Sequence, residues 1–155
     1  MKLGITGHQN IPDSALVAIR SAIEIQIQEQ APTAGISSLA KGADQLFAEC
    51  VISSGLRLEV VVPCKNYEST FDAKNALKYS ELSQKADRIE TLDFPSPSEE
   101  AFLAAGRRIV ELSDVLVAIW DGKQAVGKGG TADIVAYARS VSKQLIVIWP
   151  QGLTR

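Results

Sequence analysis

Short runs rich in β-branched residues alternate along this chain with segments of helical period, a pattern that points to a parallel sheet covered by helices on both faces. Leu3 to Thr6 reads as the first strand. Residues 13 to 29 read as a helix that places Leu16, Ile19, Ile23 and Ile27 on one face and Arg20, Glu24, Gln28 and Glu29 mostly on the other. Ala34 to Leu39 follows as a strand, Ala43 to Ser54 as a helix ended by Gly55 in a left-handed cap, and Leu58 to Val62 as the third strand. Pro63 stops that strand, and the pattern then predicts a helix over Ala73 to Lys85 and a weaker strand at Arg88 to Leu92. Ser96-Pro97-Ser98-Glu99 offers an N-cap hydroxyl at Ser96, proline at the first helical position and a capping-box glutamate, so a helix to about Leu112 is expected. Val115 to Trp120 and Leu145 to Trp149 complete the set, joined through a helix that begins near Thr131. The expected fold is a three-layer α/β sandwich with a mostly parallel sheet of about six strands.

At 155 residues, with 46% hydrophobic and 22% charged residues, the chain has the size of one domain, expected to span 1–155. Lys plus Arg total 16 against 18 for Asp plus Glu, a balance of -2 that lacks the footprint of a dedicated nucleic-acid binder. Cys50 and Cys64 match no metal-ligand spacing and read as buried, reduced thiols. The start of the chain enters an apolar strand without a charged leader, and the longest strongly apolar run, Val115 to Trp120, is far short of a membrane span. A cytoplasmic protein without membrane contact is expected, and the polar stretch Lys65 to Lys85 reads as an elaborated connection.

In sheets of this kind ligands sit at the carboxyl ends of the strands, which directs attention to three loops. Gly4-Ile-Thr-Gly-His8 closes the first strand, with glycines for close backbone approach and with Thr6, Gly7 and His8 as candidate contacts; simple turn chemistry explains it equally well. His8 is the sole histidine, which removes multi-histidine metal sites, so no metal and no resident cofactor are expected. Lys41-Gly42-Ala43-Asp44 lies between the second strand and its helix, where Asp44 either caps the helix or accepts hydrogen bonds from a ribose. The third loop runs from Asp121-Gly122 to Gly129-Gly130-Thr131, whose bare amides at a helix start suit an anion. Gly122 to Lys128 nearly forms a phosphate loop of the G-x-x-x-x-G-K-[ST] type, but Gly129 stands where the magnesium-binding hydroxyl is needed. Lys123 and Lys128 are left as phosphate contacts or solvated charges, Tyr67 and Phe71 as an aromatic wall or a loop anchor. One of Arg107 and Arg108 is expected to point toward the sheet end.

Taken together, Gly4-Ile-Thr-Gly-His8, Lys41-Gly-Ala-Asp44 and Ser113-Asp-Val-Leu-Val-Ala-Ile-Trp-Asp-Gly122 leading to Gly129-Gly-Thr131 and Tyr137-Ala138 resemble the SLOG superfamily. That Rossmann-like group includes the lonely-guy phosphoribohydrolases and the DNA-processing A proteins. The resemblance spans nearly the whole chain and implies a Rossmann-like fold, a nucleotide-like ligand with its phosphate or ribose near Gly129, Gly130 and Thr131, and a homodimer. It also exposes a departure. The phosphoribohydrolases carry a catalytic glutamate three residues after the threonine, and this chain has Ile134 there. The expectation is therefore binding or sensing of a nucleotide-derived ligand, with Asp121 and Asp133 on ribose hydroxyls or a bound cation. The alternatives are an N-glycosidase in which Asp133 with Arg107 replaces the glutamate, and a DNA-associated module, which the acidic balance disfavours.

Overall fold

A computed structural model describes residues 1–124 and 130–153. Six strands form one parallel sheet: β1 (Lys2–Gly7), β2 (Ala34–Ser37), β3 (Arg57–Val62), β4 (Arg88–Thr91), β5 (Val115–Ile119) and β6 (Gln144–Ile148). The helices are α1 (Leu16–Gln30), α2 (Ala43–Ser53), α3 (Ala73–Gln84), α4 (Glu99–Leu112) and α5 (Thr131–Ser140), with short 3-10 turns at Asp13–Ala15 and Tyr67–Thr70. The spatial order is β4-β3-β2-β1-β5-β6. The chain therefore steps outward from β1 to β4, returns through α4 to β5 on the other side of β1, and steps out again to β6. Right-handed crossovers put helices made on the outward and return legs on opposite faces.

Strand alternation divides the core accordingly. Leu3, Ile5, Val117 and Ile119 face a core with Ile19, Ile23 and Ile27 of α1, Phe47 and Val51 of α2, and Tyr79 and Leu82 of α3. On the opposite face Ile36, Val61 and Leu116 meet Ala105, Ile109 and Val110 of α4 and Ile134 and Ala138 of α5. Gly4, read from sequence as a ligand contact, is instead a packing residue. It pairs with Ile36 and Leu116 in mid-strand, and a Cβ there would collide with the Ser113 side chain at the end of α4.

Two helix starts differ from expectation. Leu16 is partly exposed, because the 3-10 turn at Asp13–Ala15 precedes α1 and buries Ala15 in its place. The N-cap of α4 is Ser98 rather than Ser96: Ser98 Oγ accepts from the Ala101 amide at 3.1 Å. Glu99 is then the first helical residue, too early to close a capping box, while it and Glu100 still place negative charge at the positive helix end. Ser98→Ala should cost about 1 kcal/mol and Ser96→Ala less than about 0.5, measured by urea unfolding. Equal losses would move the cap back to Ser96. Among the described residues, no helix is long and apolar enough to cross a membrane.

Candidate functional site

β1 and β5 are neighbours in the sheet although three strands separate them in sequence, so the connections leaving their carboxyl ends run to opposite faces. The gap between those connections is where ligands enter sheets of this type. A cleft of about 1030 Å³ opens there. Its walls come from the β1 exit (Thr6, Gly7, His8), the β2–α2 loop (Ser38, Lys41, Asp44), the β3–α3 connection (Tyr67, Phe71, Asp72), the start of α4 (Ser98, Phe102) and the start of α5 (Gly130, Thr131, Ile134).

The β1 exit and the β2–α2 loop are in close contact because both lack side-chain bulk at the crossing. A Cβ at Gly7 would lie 2.5 Å from the Ala43 Cβ, and the His8 carbonyl accepts from the Ala43 amide at 3.1 Å. Gly42 adopts φ 85° as the N-cap of α2, a conformation that favours glycine. It faces a separate groove beside α1 rather than the cleft. Ser37 fastens the same loop, its hydroxyl donating to the Asp44 carbonyl at 3.1 Å and accepting from the Leu39 amide at 3.0 Å. Leu39, wholly buried, is held at φ 59°. Such positive φ values are uncommon for residues other than glycine, asparagine and aspartate.

Asp44 does not cap α2. Its carboxylate is buried beside the cleft, where among the described residues it accepts one long hydrogen bond, 3.4 Å from the Ala40 amide. Burial pushes this carboxyl from 3.8 to about 7, against a small lowering by the Ala40 hydrogen bond. Proximity to the helix start favours the anion by only about 0.3–1 kcal/mol, so desolvation prevails. The nearby Tyr67 phenol is raised well above its usual value by burial first and by Asp44 second, and stays neutral. Tyr67 stands in edge contact with Phe71 and Tyr79, so the two aromatics expected as wall or anchor serve as both.

Ser38, next in the loop, was not singled out by sequence. Its residue is 8% exposed and its Oγ has no hydrogen-bond partner among the described residues. A serine after an apolar strand carries no sequence signal; only its burial without a partner marks it.

Seven residues expected at the site line the cleft: Thr6, Gly7, His8, Lys41, Asp44, Gly130 and Thr131. Others do not. The His8 ring is buried, edge-on to Trp149 at 5.3 Å, with Nε2 3.1 Å from both the Asp121 amide nitrogen and its Oδ1. One nitrogen cannot make both contacts as hydrogen bonds at once: bare, it accepts from the amide, and carrying a hydrogen, it donates to the carboxylate. Asp121 is thus engaged behind His8, its Oδ1 also accepting from the Lys123 amide, and the exposed Gly122 turns the chain at φ 84°. Neither lines the cleft, and Lys123 is exposed. Arg107 is exposed, with its guanidinium 5.1 Å from the Tyr137 ring centre. Arg108, the partner on the sheet side, is held by Glu90 through bonds of 2.7 and 3.1 Å. Asp133 is half-buried on α5 and also does not line the cleft. Gly129 and Lys128 lie outside the described residues.

No family model matches the chain, and no curated protein matches it. Solved structures do. DNA processing protein A of Helicobacter pylori, described for its mode of single-stranded DNA binding, superimposes with a TM-score of 0.71 at 21% identity over 100% of this chain and 67% of its own. DNA processing protein A of Streptococcus pneumoniae gives 0.69 at 16% identity over 98% of this chain, which spans about half, 51%, of that protein. The molybdenum cofactor binding protein of Rippkaea orientalis gives 0.60 at 17% identity, covering 94% of this chain and 74% of its own. The chain therefore has the Rossmann-like fold that its resemblance to the SLOG superfamily implies.

Proposed function

We propose that this chain, acting as a single domain over 1–155, binds or senses a nucleotide or nucleotide-derived molecule laid across the carboxyl ends of its strands. The observation that carries the proposal is the Ser38 hydroxyl, buried on the wall of the cleft with no hydrogen-bond partner among the described residues. A buried polar group left unpaired costs about 1–3 kcal/mol, which a ligand seated in the cleft would recover. The start of α5 at Gly130 and Thr131 has no side-chain cap among the described residues and offers its positive end to an anion. The structural neighbours described as binding molybdenum cofactor or single-stranded DNA support a phosphate-bearing ligand.

Binding rather than hydrolysis is the reading because Ile134 fills the slot where the related hydrolases need a carboxylate, and Asp133 and Arg107 do not line the cleft. A homodimer follows from the SLOG resemblance, and a cytoplasmic location is part of the same proposal. The test is a thermal-shift panel of nucleoside monophosphates, ADP-ribose and cyclic nucleotides at millimolar concentration. At least one should raise the melting temperature by about 2–8 °C, as expected for about 1–2 kcal/mol of linkage in a chain of this length. Uniformly flat responses would overturn the proposal.

A further inference from the structure

The cleft has two chemically different ends. Tyr67, Phe71 and Phe102 supply aromatic surface on the side of β3, with the Asp44 carboxyl and the Ser38 hydroxyl from the β2–α2 loop beside them. Gly130 and Thr131 stand at the other end, after β5. In the sheet β3, β2, β1 and β5 are successive neighbours. At about 4.8 Å per strand, the outer two are about 14 Å apart, comparable with the length of a nucleoside phosphate. Aromatic rings receive a heterocycle, and an uncapped helix start receives a phosphate.

The polar pair at the aromatic end narrows the heterocycle. A carboxylate is an acceptor only and can take two parallel N–H bonds, whereas the Ser38 hydroxyl can donate as well as accept. Resting on the nucleotide reading above, we infer that Asp44 and Ser38 recognise a base edge carrying an amino group and a ring N–H beside a carbonyl. Guanine and pterins both present that edge; adenine does not. In this arrangement the amino group and ring N–H donate to Asp44, and Ser38 donates to the carbonyl.

The titratable and charged groups that share the cleft with Asp44 are His8 from the β1 exit, Lys41 from its own loop, and Tyr67 and Asp72 from the β3–α3 connection. Tyr67 stays neutral, and burial dominates the Asp44 carboxyl, which is part protonated near neutrality. A base edge that only donates requires the ionised form, so Asp44 gives up its proton to the buffer as the ligand seats. Binding and proton release are thereby coupled.

Isothermal titration calorimetry in buffers of different ionisation enthalpy tests this with guanosine, inosine and adenosine 5′-monophosphates and a pterin monophosphate. The guanine or pterin compound should bind about tenfold or more tighter than inosine monophosphate, which lacks the amino group; that is the effect of one charge-assisted hydrogen bond. The phosphate itself titrates at about pH 6, so the release is read as the part that depends on Asp44. That part should approach one proton per ligand at about pH 6, about one half at pH 7, and vanish at about pH 8.5. Asp44→Asn should abolish both the preference and the release, with a melting curve showing that the variant is folded. Ser38→Ala should weaken the guanine or pterin ligand several-fold while keeping the proton release. Guanosine against pterin phosphate distinguishes the two sources of the edge. Nucleotide binding without base preference or proton release, or unchanged in Asp44→Asn, overturns this inference and leaves the nucleotide reading standing. No response to any of the four overturns this inference, and the nucleotide reading falls with it only if the wider thermal-shift panel is flat as well.

Discussion

Asp44→Asn stabilises the ligand-free protein at pH 8 and loses that advantage as the pH falls toward 4. The wild-type carboxyl ionises at about 7 inside the fold against 3.8 for an ordinary aspartate, with burial the cause. Between those values the folded state holds a proton that the unfolded chain has released. The stability this protonation supplies is fully present below about pH 4 and is lost as pH rises through 7. At about 1.36 kcal/mol per pH unit, the ionised carboxylate opposes folding above neutrality by roughly 4 kcal/mol. Asparagine has nearly the same shape and does not titrate there, but it buries an amide that offsets about 1–3 kcal/mol. The expected result is therefore a gain of about 1–3 kcal/mol at pH 8, shrinking by roughly 4 kcal/mol on going to pH 4. Urea unfolding of both proteins across that range measures it, since all other titrating groups are common to the pair. A difference independent of pH would show that Asp44 is solvated in the fold.

The elements were legible because period and punctuation agreed: Ile19, Ile23 and Ile27 fall on one face and are buried, and Gly55 turns left-handed after α2 as expected. The weak strand at Arg88 to Thr91 pairs with β3 as an edge. What failed locally was decided by one-residue choices, as at Ser98, where either serine satisfies the same pattern. The three loops at the strand ends were legible, but not which of their residues line the cleft. Gly4 and Gly7 belong to one motif, yet one meets Ser113 in mid-strand and the other meets Ala43 at the strand exit. Spacing cannot tell a glycine needed by a neighbouring helix from one needed by a ligand. Asp44 and Ser38 acquire their meaning from burial, which follows from tertiary packing around a loop. Arg107 illustrates the converse, since its helical phase leaves it over Tyr137 at the surface while Arg108 engages Glu90.

Installing the missing carboxylate should break the fold locally before it creates a hydrolase. Ile134 is 2% exposed, packed in the α4–α5 core with Ala105, Ile109 and Val110. Gly106 of α4 abuts it so closely that a Cβ there would overlap the isoleucine side chain. Ile134→Glu gives up about 1.5–3 kcal/mol of apolar burial and adds several kcal/mol for an unpaired buried charge. Position 134 is in the first turns of α5, but a helix start offsets only about 0.3–1 kcal/mol of that. A loss of about 4 kcal/mol or more at pH 8 is expected, smaller near pH 5, where the glutamate can fold protonated. Ile134→Gln serves as the uncharged control and should show no such pH dependence. Urea unfolding reads the stability, and release of free base from nucleoside monophosphates reads any activity. Wild-type stability in Ile134→Glu would show that the carboxylate reaches the cleft that Ile134 borders, and base release by it would show that a single substitution separates this chain from a hydrolase. If instead the variant is destabilised as expected, the lack of a carboxylate is built into the packing: Gly106 is shaped to an isoleucine, and a carboxylate there would need the α4–α5 contact rebuilt with it.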